Sequence, residues 1–144
     1  ENLGFLPGDL QQKVDPYLRP LFDSLHNIFG SEKTNSLIDK GIIEVVPLAF
    51  MRGRTLEDSL IILDEAQNTT KAQMKMFLTR LGERSKMIVN GDITQIDLKN
   101  SNESGLIDAI NTFSDVDQIM FCHLTTEDIV RHTLVQKIIE AYKN

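Results

Sequence analysis

Leu60-Ile61-Ile62-Leu63-Asp64-Glu65 is the stretch that decides the fold. Four aliphatic residues in succession deliver two adjacent carboxylates, and the run Ser59 to Asp64 reads as a strand buried within a parallel sheet. In open α/β sheets, ligands bind at the carboxyl ends of the strands. Phosphoryl transfer to water needs a divalent ion to neutralise phosphate charge and a group that orients the attacking water. Asp64 suits the first task and Glu65 the second, since Mg²⁺ keeps several of its own waters and one carboxylate acting through them is enough. Apolar strands also end in an acidic pair where the chain merely exits into solvent, so the run alone leaves both readings open.

Downstream, Lys86 to Val89 is a second apolar strand, and it leads into Asn90-Gly91-Asp92-Ile93-Thr94-Gln95. Gly91 allows close backbone approach, while Asp92, Thr94 and Gln95 bring polar groups to what should be the same sheet edge. A glutamine beside a terminal phosphate can sense it by hydrogen bonding and orient water. Between the strands, Thr70 and Gln73 have capping-box spacing, Met74, Phe77, Leu78 and Leu81 form a helical stripe, and Gly82 stands where a C′ residue belongs.

Farther out, Gly41 to Leu48 reads as another strand and Asp117 to Leu124 as a weaker one. Leu106, Ile107, Ile110 and Phe113 mark a short helix. A last helix is expected to start near Thr125, with Val130, Leu134, Val135, Ile138, Ile139 and Tyr142 as its stripe. Ser31 to Lys40 reads as a helix capped by Ser31 and ended before Gly41. From Leu10 to Ile28 the helical spacing persists, but Pro16, suited to a first helical position, and Pro20 predict a kink or break. Helices alternating with short strands give an α/β class, with a mostly parallel sheet flanked by helices.

The 144 residues, 41% of them hydrophobic, suffice for one core and so for one domain over 1–144. No apolar run approaches the length that spans a bilayer, and no secretory signal is seen at Glu1 to Leu10. The single cysteine, Cys122, is read as a buried strand residue and fits a reducing, cytoplasmic compartment. A net charge of −6 disfavours whole-surface attraction to nucleic acid but leaves room for a local basic patch. His26, His123 and His132 lack metal-ligand spacing.

The acidic pair with Ala66 and Gln67, followed one helix later by the Gly-Asp-x-x-Gln turn, resembles motifs II and III of superfamily 1 helicases. The flanks sharpen this: Leu3 to Leu10, Lys13 to Pro20, Met51-Arg52-Gly53-Arg54-Thr55, Asp64 to Thr70, Gln73 to Gly82, Gly91 to Leu98 and Val130-Arg131-His132 resemble the PhoH-like proteins over nearly the whole chain. The resemblance implies a RecA-like P-loop NTPase core, ATP and Mg²⁺ as ligands, ATP hydrolysis and a link to RNA metabolism. For some members it implies an endoribonuclease partner. It makes Asp64 the magnesium-associated acid, Glu65 the catalytic glutamate and Gln95 the γ-phosphate sensor.

One part of that pattern is missing: no G-x-x-x-x-G-K-[ST] occurs among these residues, and in the family that loop lies upstream of the matched region. Without its backbone N–H groups and lysine, the acids face half a phosphate site, so weak ATP binding is expected. The sheet is expected to lack the strand before that loop, and a homo-oligomeric neighbour is the simplest candidate to fill its place. Arg52 and Arg54 are candidates to grip nucleotide or RNA phosphate, with an exposed basic turn as the alternative. Arg80 is a candidate arginine finger across a subunit interface, or else a cation meeting its helix dipole. Arg131 is either a nucleotide or subunit contact or the partner of Glu127 or Asp128. The rival to the ATPase reading is a non-catalytic RNA-binding or subunit-assembly module in which these arginines outweigh Asp64.

Overall fold

The computed structural model describes residues 10–142, the side chains of residues 10–17 and 126 excepted. They form two compact units that part at Asp108. The first holds α1 (Leu10–Phe29), α2 (Ser31–Asp39), β1 (Leu60–Leu63), α3 (Lys71–Leu78) and β2 (Lys86–Val89). Helix α4 (Gly105–Thr112) begins in the first unit and ends in the second, which also carries α5 (Thr133–Tyr142).

Strands β1 and β2 pair in parallel, with Leu60 opposite Lys86 and Leu63 opposite Val89, and α3 makes the crossover. The chain is therefore α/β, with a parallel sheet flanked by helices, consistent with part of a RecA-like core. Because the strands are parallel and in register, both carboxyl ends open at one edge, as the sequence predicts. Pairing continues past the strands: the Asn90 N–H donates to the Leu63 carbonyl (2.8 Å) and the Ala66 N–H to the Asn90 carbonyl (2.9 Å).

The strands are not buried on both faces. Leu60 is 64%, Ile62 62% and Ile88 45% exposed, whereas Ile61, Leu63, Met87 and Val89 point to the half-buried side. With two strands the sheet packs on one face only, so an aliphatic run that reads as fully buried becomes an alternating one.

Helix α3 forms for the reasons its sequence gives. The Thr70 hydroxyl accepts the Gln73 N–H (3.3 Å) and the Gln73 side chain accepts the Thr70 N–H (2.8 Å), closing the capping box. Met74 and Phe77 are buried beneath it, and each contributes roughly 1.5–3 kcal/mol of burial. Thr70→Ala, which removes the hydroxyl acceptor, is expected to cost about 1 kcal/mol, read as a lower urea midpoint at unchanged m-value. Gly82 does not end this helix: Leu78 does, with Thr79 as C-cap. The Gly82 N–H goes instead to the Leu56 carbonyl (2.9 Å), beside the parallel bridge of Leu56 with Leu81.

Three further expectations in the first unit are corrected. Helix α1 runs through both Pro16 and Pro20. A proline lacks the N–H that a helix interior uses, and packing against α2, where buried Thr34 donates its hydroxyl to the Leu25 carbonyl (3.1 Å), is the compensation on view at Pro20. Helix α2 is capped by Gly30, with no side-chain bond, rather than by Ser31. Gly41 to Leu48 is not a strand because its first amides close α2: the Gly41 N–H donates to the Ile38 carbonyl and the Ile42 N–H to the Leu37 carbonyl (both 2.9 Å). That is a Schellman end, with Gly41 at φ 67°. Pro47 has no N–H for a ladder and instead precedes a 3-10 turn at Leu48–Met51.

In the second unit Asp117 to Leu124 forms no strand among the described residues, and Met120, Leu124 and Cys122 are exposed. Thr125 does not cap the last helix, because the Asp128 carboxylate takes its N–H (2.6 Å) and closes a local 3-10 turn at Thr126–Asp128. Helix α5 starts at Thr133, where His132 Nδ1 accepts the Leu134 N–H (3.2 Å). No described helix is long and apolar enough to cross a membrane. The matches at Leu3 to Asp9 lie outside the described residues, as do the side chains of the match at Lys13 to Tyr17.

Candidate functional site

The acids stand where β1 ends. Glu65 takes left-handed backbone angles, φ 53° and ψ 35°, which cost a residue with a Cβ roughly 1–2 kcal/mol. Such strain persists only where the surroundings over-determine it. Here the next residues enforce it by turning at once into a 3-10 segment, Ala66–Asn68, whose Ala66 and Gln67 are buried. The most buried large side chains of the described chain are polar, namely Gln67, Thr34 and Ser104. Two of them lie directly behind the acids: the Ser104 hydroxyl donates to the Gln67 carbonyl (2.8 Å), and the Gly105 N–H to the Thr69 carbonyl (2.7 Å).

Asp64 and Glu65 are each held by an amide. Asn90 Nδ2 donates to Asp64 Oδ1 (2.7 Å), and Gln67 Nε2 donates to Glu65 Oε2 (2.7 Å). Both carboxylates remain exposed. The turn after β2 is organised by Asp92, whose Oδ1 accepts the Thr94 N–H (2.9 Å) and hydroxyl (2.7 Å) and whose Oδ2 accepts Gln95 Nε2 (2.7 Å). Gln67 joins the two halves: its Oε1 accepts the Asp92 N–H (3.1 Å), and its Nε2 also donates to the Gln95 carbonyl (3.2 Å). Gly91 makes this approach feasible, since a Cβ there would lie 2.6 Å from Gln67 Oε1 and 2.8 Å from the Leu106 side chain. Asn68 adds a further link, accepting the Asp97 N–H (2.8 Å).

Asp64, Glu65, Asp92, Thr94 and Gln95 thus share one edge, as expected from sequence. Gln67 and Asn90 were assigned no role there. Their signal was position alone, an amide two residues after an acid and another just before the glycine.

The arginines lie elsewhere. Arg80 donates to the Met76 carbonyl (3.0 Å), the Arg54 carbonyl (3.1 Å) and the Thr79 hydroxyl (3.2 Å), and the Leu56 N–H donates to the Arg80 carbonyl. It ties the end of α3 to the segment entering β1, on the amino side of the sheet and away from the acids. Arg54 forms a two-pronged pair with Glu44, both contacts 2.8 Å. Its hydrogen bonds hold the Glu44 carboxyl below the usual glutamate range and raise the guanidinium. The pair's contribution to stability is present above the ordinary glutamate pKa and lost as pH falls through the lowered one, and at this exposure it is small. Arg52 is exposed. Arg131 belongs to the second unit and takes no part in the three ion pairs formed among the described residues.

Among the described residues no three His, Cys, Asp or Glu side chains gather as a metal cage. An exposed carboxylate steadied by an amide fits a hard cation held through one acid, its own waters and substrate phosphate, the usual manner of Mg²⁺. Asp64 is the residue that would hold it.

Comparison with known proteins gives one answer. The family model described as PhoH-like protein matches residues 1–143. A PhoH-like protein of Bacillus subtilis (strain 168) is 61% identical over 142 residues, covering 99% of this chain and 44% of the relative. A PhoH-like protein of Synechocystis is 61% identical over 143 residues, with the same shares. Protein PhoH of Escherichia coli (strain K12) is 49% identical over 144 residues, 41% of its length. The chain therefore spans less than half the length of these relatives.

Proposed function

Because the chain belongs to the PhoH-like protein family, we propose that it supplies the acid and sensor half of an ATP-hydrolysing site in the intact protein. The observation that carries this reading is the convergence of Asp64, Glu65 and the 91–95 turn at one edge of a parallel sheet, joined by Gln67. Mg²⁺, when bound, would neutralise β- and γ-phosphate charge. Asp64 would hold the hydrated ion, and Glu65 would accept a hydrogen bond from the attacking water and draw its proton. Gln95, carried on the Asp92 and Thr94 turn, faces the γ-phosphate. Its side chain is bonded to Asp92 here, so it exchanges that partner for phosphate when nucleotide arrives.

The phosphate cradle belongs to the rest of the intact protein, as does the use to which hydrolysis is put. That use is taken to be RNA-linked work in the cytoplasm by a homo-oligomer, with an endoribonuclease as a candidate partner. Arg131 is proposed as a nucleotide or subunit contact and Arg80 as an arginine finger for a neighbouring copy, a role in which it would release the Met76 and Arg54 carbonyls that its guanidinium now holds. The rival reading, a non-catalytic RNA-binding or subunit-assembly module built on Arg52, Arg54, Arg80 and Arg131, has less support, since Arg54 is paired with Glu44 and Arg80 is bonded to carbonyls of its own fold.

The test is phosphate release from ATP by the intact protein, with and without single-stranded RNA. Release is expected to require Mg²⁺, to stop with EDTA and to return when the metal is restored. Release no faster than the buffer background, under every condition, would remove the ATPase reading.

A further inference from the structure

The buried amide of Gln67 is placed as few core glutamines are. Its side chain is 1% exposed and makes three hydrogen bonds, to the Glu65 carboxylate, the Gln95 carbonyl and the Asp92 N–H. The orientation is fixed by the partners: a flipped amide would set Oε1 against the Glu65 carboxylate and the Gln95 carbonyl, and its NH₂ against the Asp92 N–H. Both Nε2 hydrogens and one Oε1 lone pair are engaged, so neither end can let go without leaving a buried polar group unpaired. Its backbone is held independently by Ser104. The partners belong to the two segments that the ATPase reading assigns to water and to γ-phosphate.

We infer that Gln67 is a positioning residue, a rigid link that fixes the Glu65 carboxylate relative to the 92–95 turn. Whatever the turn does on meeting the γ-phosphate is passed to Glu65. Contact of Gln95 with phosphate shifts its backbone carbonyl, that carbonyl is bonded to Gln67 Nε2, and the same nitrogen holds Glu65. Hydrolysis then proceeds only when phosphate sits against the turn. This inference rests on the ATPase reading and adds a coupling to it. Gly91 serves the same link, because any side chain there would displace the Gln67 amide.

The experiment uses the intact protein and single-turnover hydrolysis of Mg²⁺-ATP by wild type, Gln67→Met, Gln67→Glu, Glu65→Gln and the Gln67→Met/Glu65→Gln double variant. Gln67→Met keeps length but removes all three bonds. Its expected effect is a fall of about 10–100-fold in kcat from misplacement of the water-orienting group, with the KM for ATP within about threefold. Because Gln67 acts through Glu65, adding Gln67→Met to Glu65→Gln should lower the residual rate by less than about twofold. Gln67→Glu keeps the acceptor for Asp92 but opposes two carboxylates. Its rate relative to wild type should rise as pH falls, because the protonated carboxyl donates again. A merely structural glutamine would give neither the non-additivity nor the pH dependence.

Gln67→Met with kcat within twofold of wild type overturns the inference, as do losses that multiply in the double variant or a Gln67→Glu ratio flat with pH. If the variants do not fold, wild-type hydrogen exchange decides. On adding a non-hydrolysable ATP analogue, amides of 65–68 and 91–95 should gain protection together, and protection of 91–95 alone contradicts the link. A Glu65→Gln enzyme as fast as wild type removes the role of Glu65 on water, and with it the reading on which this inference rests, while leaving ATP hydrolysis itself in place. An inert Glu65→Gln enzyme beside unaffected Gln67 variants removes only this inference.

Discussion

Glu65→Gln in the intact protein is expected to lower kcat for ATP hydrolysis by about 10²–10⁴-fold, the usual share of a positioned general base, while ATP affinity changes little. The substitution preserves shape and removes the proton acceptor. Gln67 Nε2 donates to Glu65 Oε2 at 2.7 Å, and an amide oxygen can accept that bond, so the link to the turn survives. The left-handed backbone at 65 is as accessible to glutamine as to glutamate, so little stability should be lost. Phosphate release gives the first quantity, and displacement of a fluorescent ATP analogue the second. A variant that hydrolyses at the wild-type rate would show that Glu65 is not the group acting on water. One that loses binding and turnover together would place it in nucleotide affinity instead.

How legible this arrangement is in the sequence varies by element for physical reasons. The strands at 60–63 and 86–89 are legible because short aliphatic runs ending in polar turns have few other uses, and α3 because its capping box and stripe are local signals. Parallel pairing of the two strands follows from the helix between them. Gly41 to Leu48 misleads because β-branched composition says nothing about where amides go: Gly41 and Ile42 close a helix end. Thr125 with Asp128 misleads in the same way, since the spacing of a capping pair also suits an isolated turn.

Exposure of Leu60, Ile62 and Ile88 was hidden because an aliphatic run does not state how many of its faces are covered. At the site, carboxylates and the glycine turn announce themselves by chemistry. Gln67 does not, because a buried amide earns its place through three partners 2 to 28 residues away in sequence. The resemblance includes Gln67 in its motif without giving it a role. Contact geometry supplies one.

The second large effect concerns ATP affinity, and it bears most directly on the claim that these residues are the chemical half of a divided site. Most phosphate contacts in a P-loop NTPase come from the loop's backbone N–H groups, its lysine and its hydroxyl residue, and no such motif occurs in the 144 residues. Asp64 and Glu65 are anionic and repel phosphate unless Mg²⁺ and cationic donors intervene. The chain by itself should therefore bind Mg²⁺-ATP with a Kd of about 1 mM or weaker, on the order of −4 kcal/mol. An intact protein that carries the proposed cradle should bind in the micromolar range, tighter by roughly 4 kcal/mol.

Calorimetric titration of Mg²⁺-ATP into the 144-residue chain and into the intact protein, in one buffer, measures this difference. The account predicts no saturable heat for the chain below about 1 mM ATP and a micromolar isotherm for the intact protein. Micromolar binding by the chain alone would contradict the account, because a site that grips ATP without the loop is not half a site.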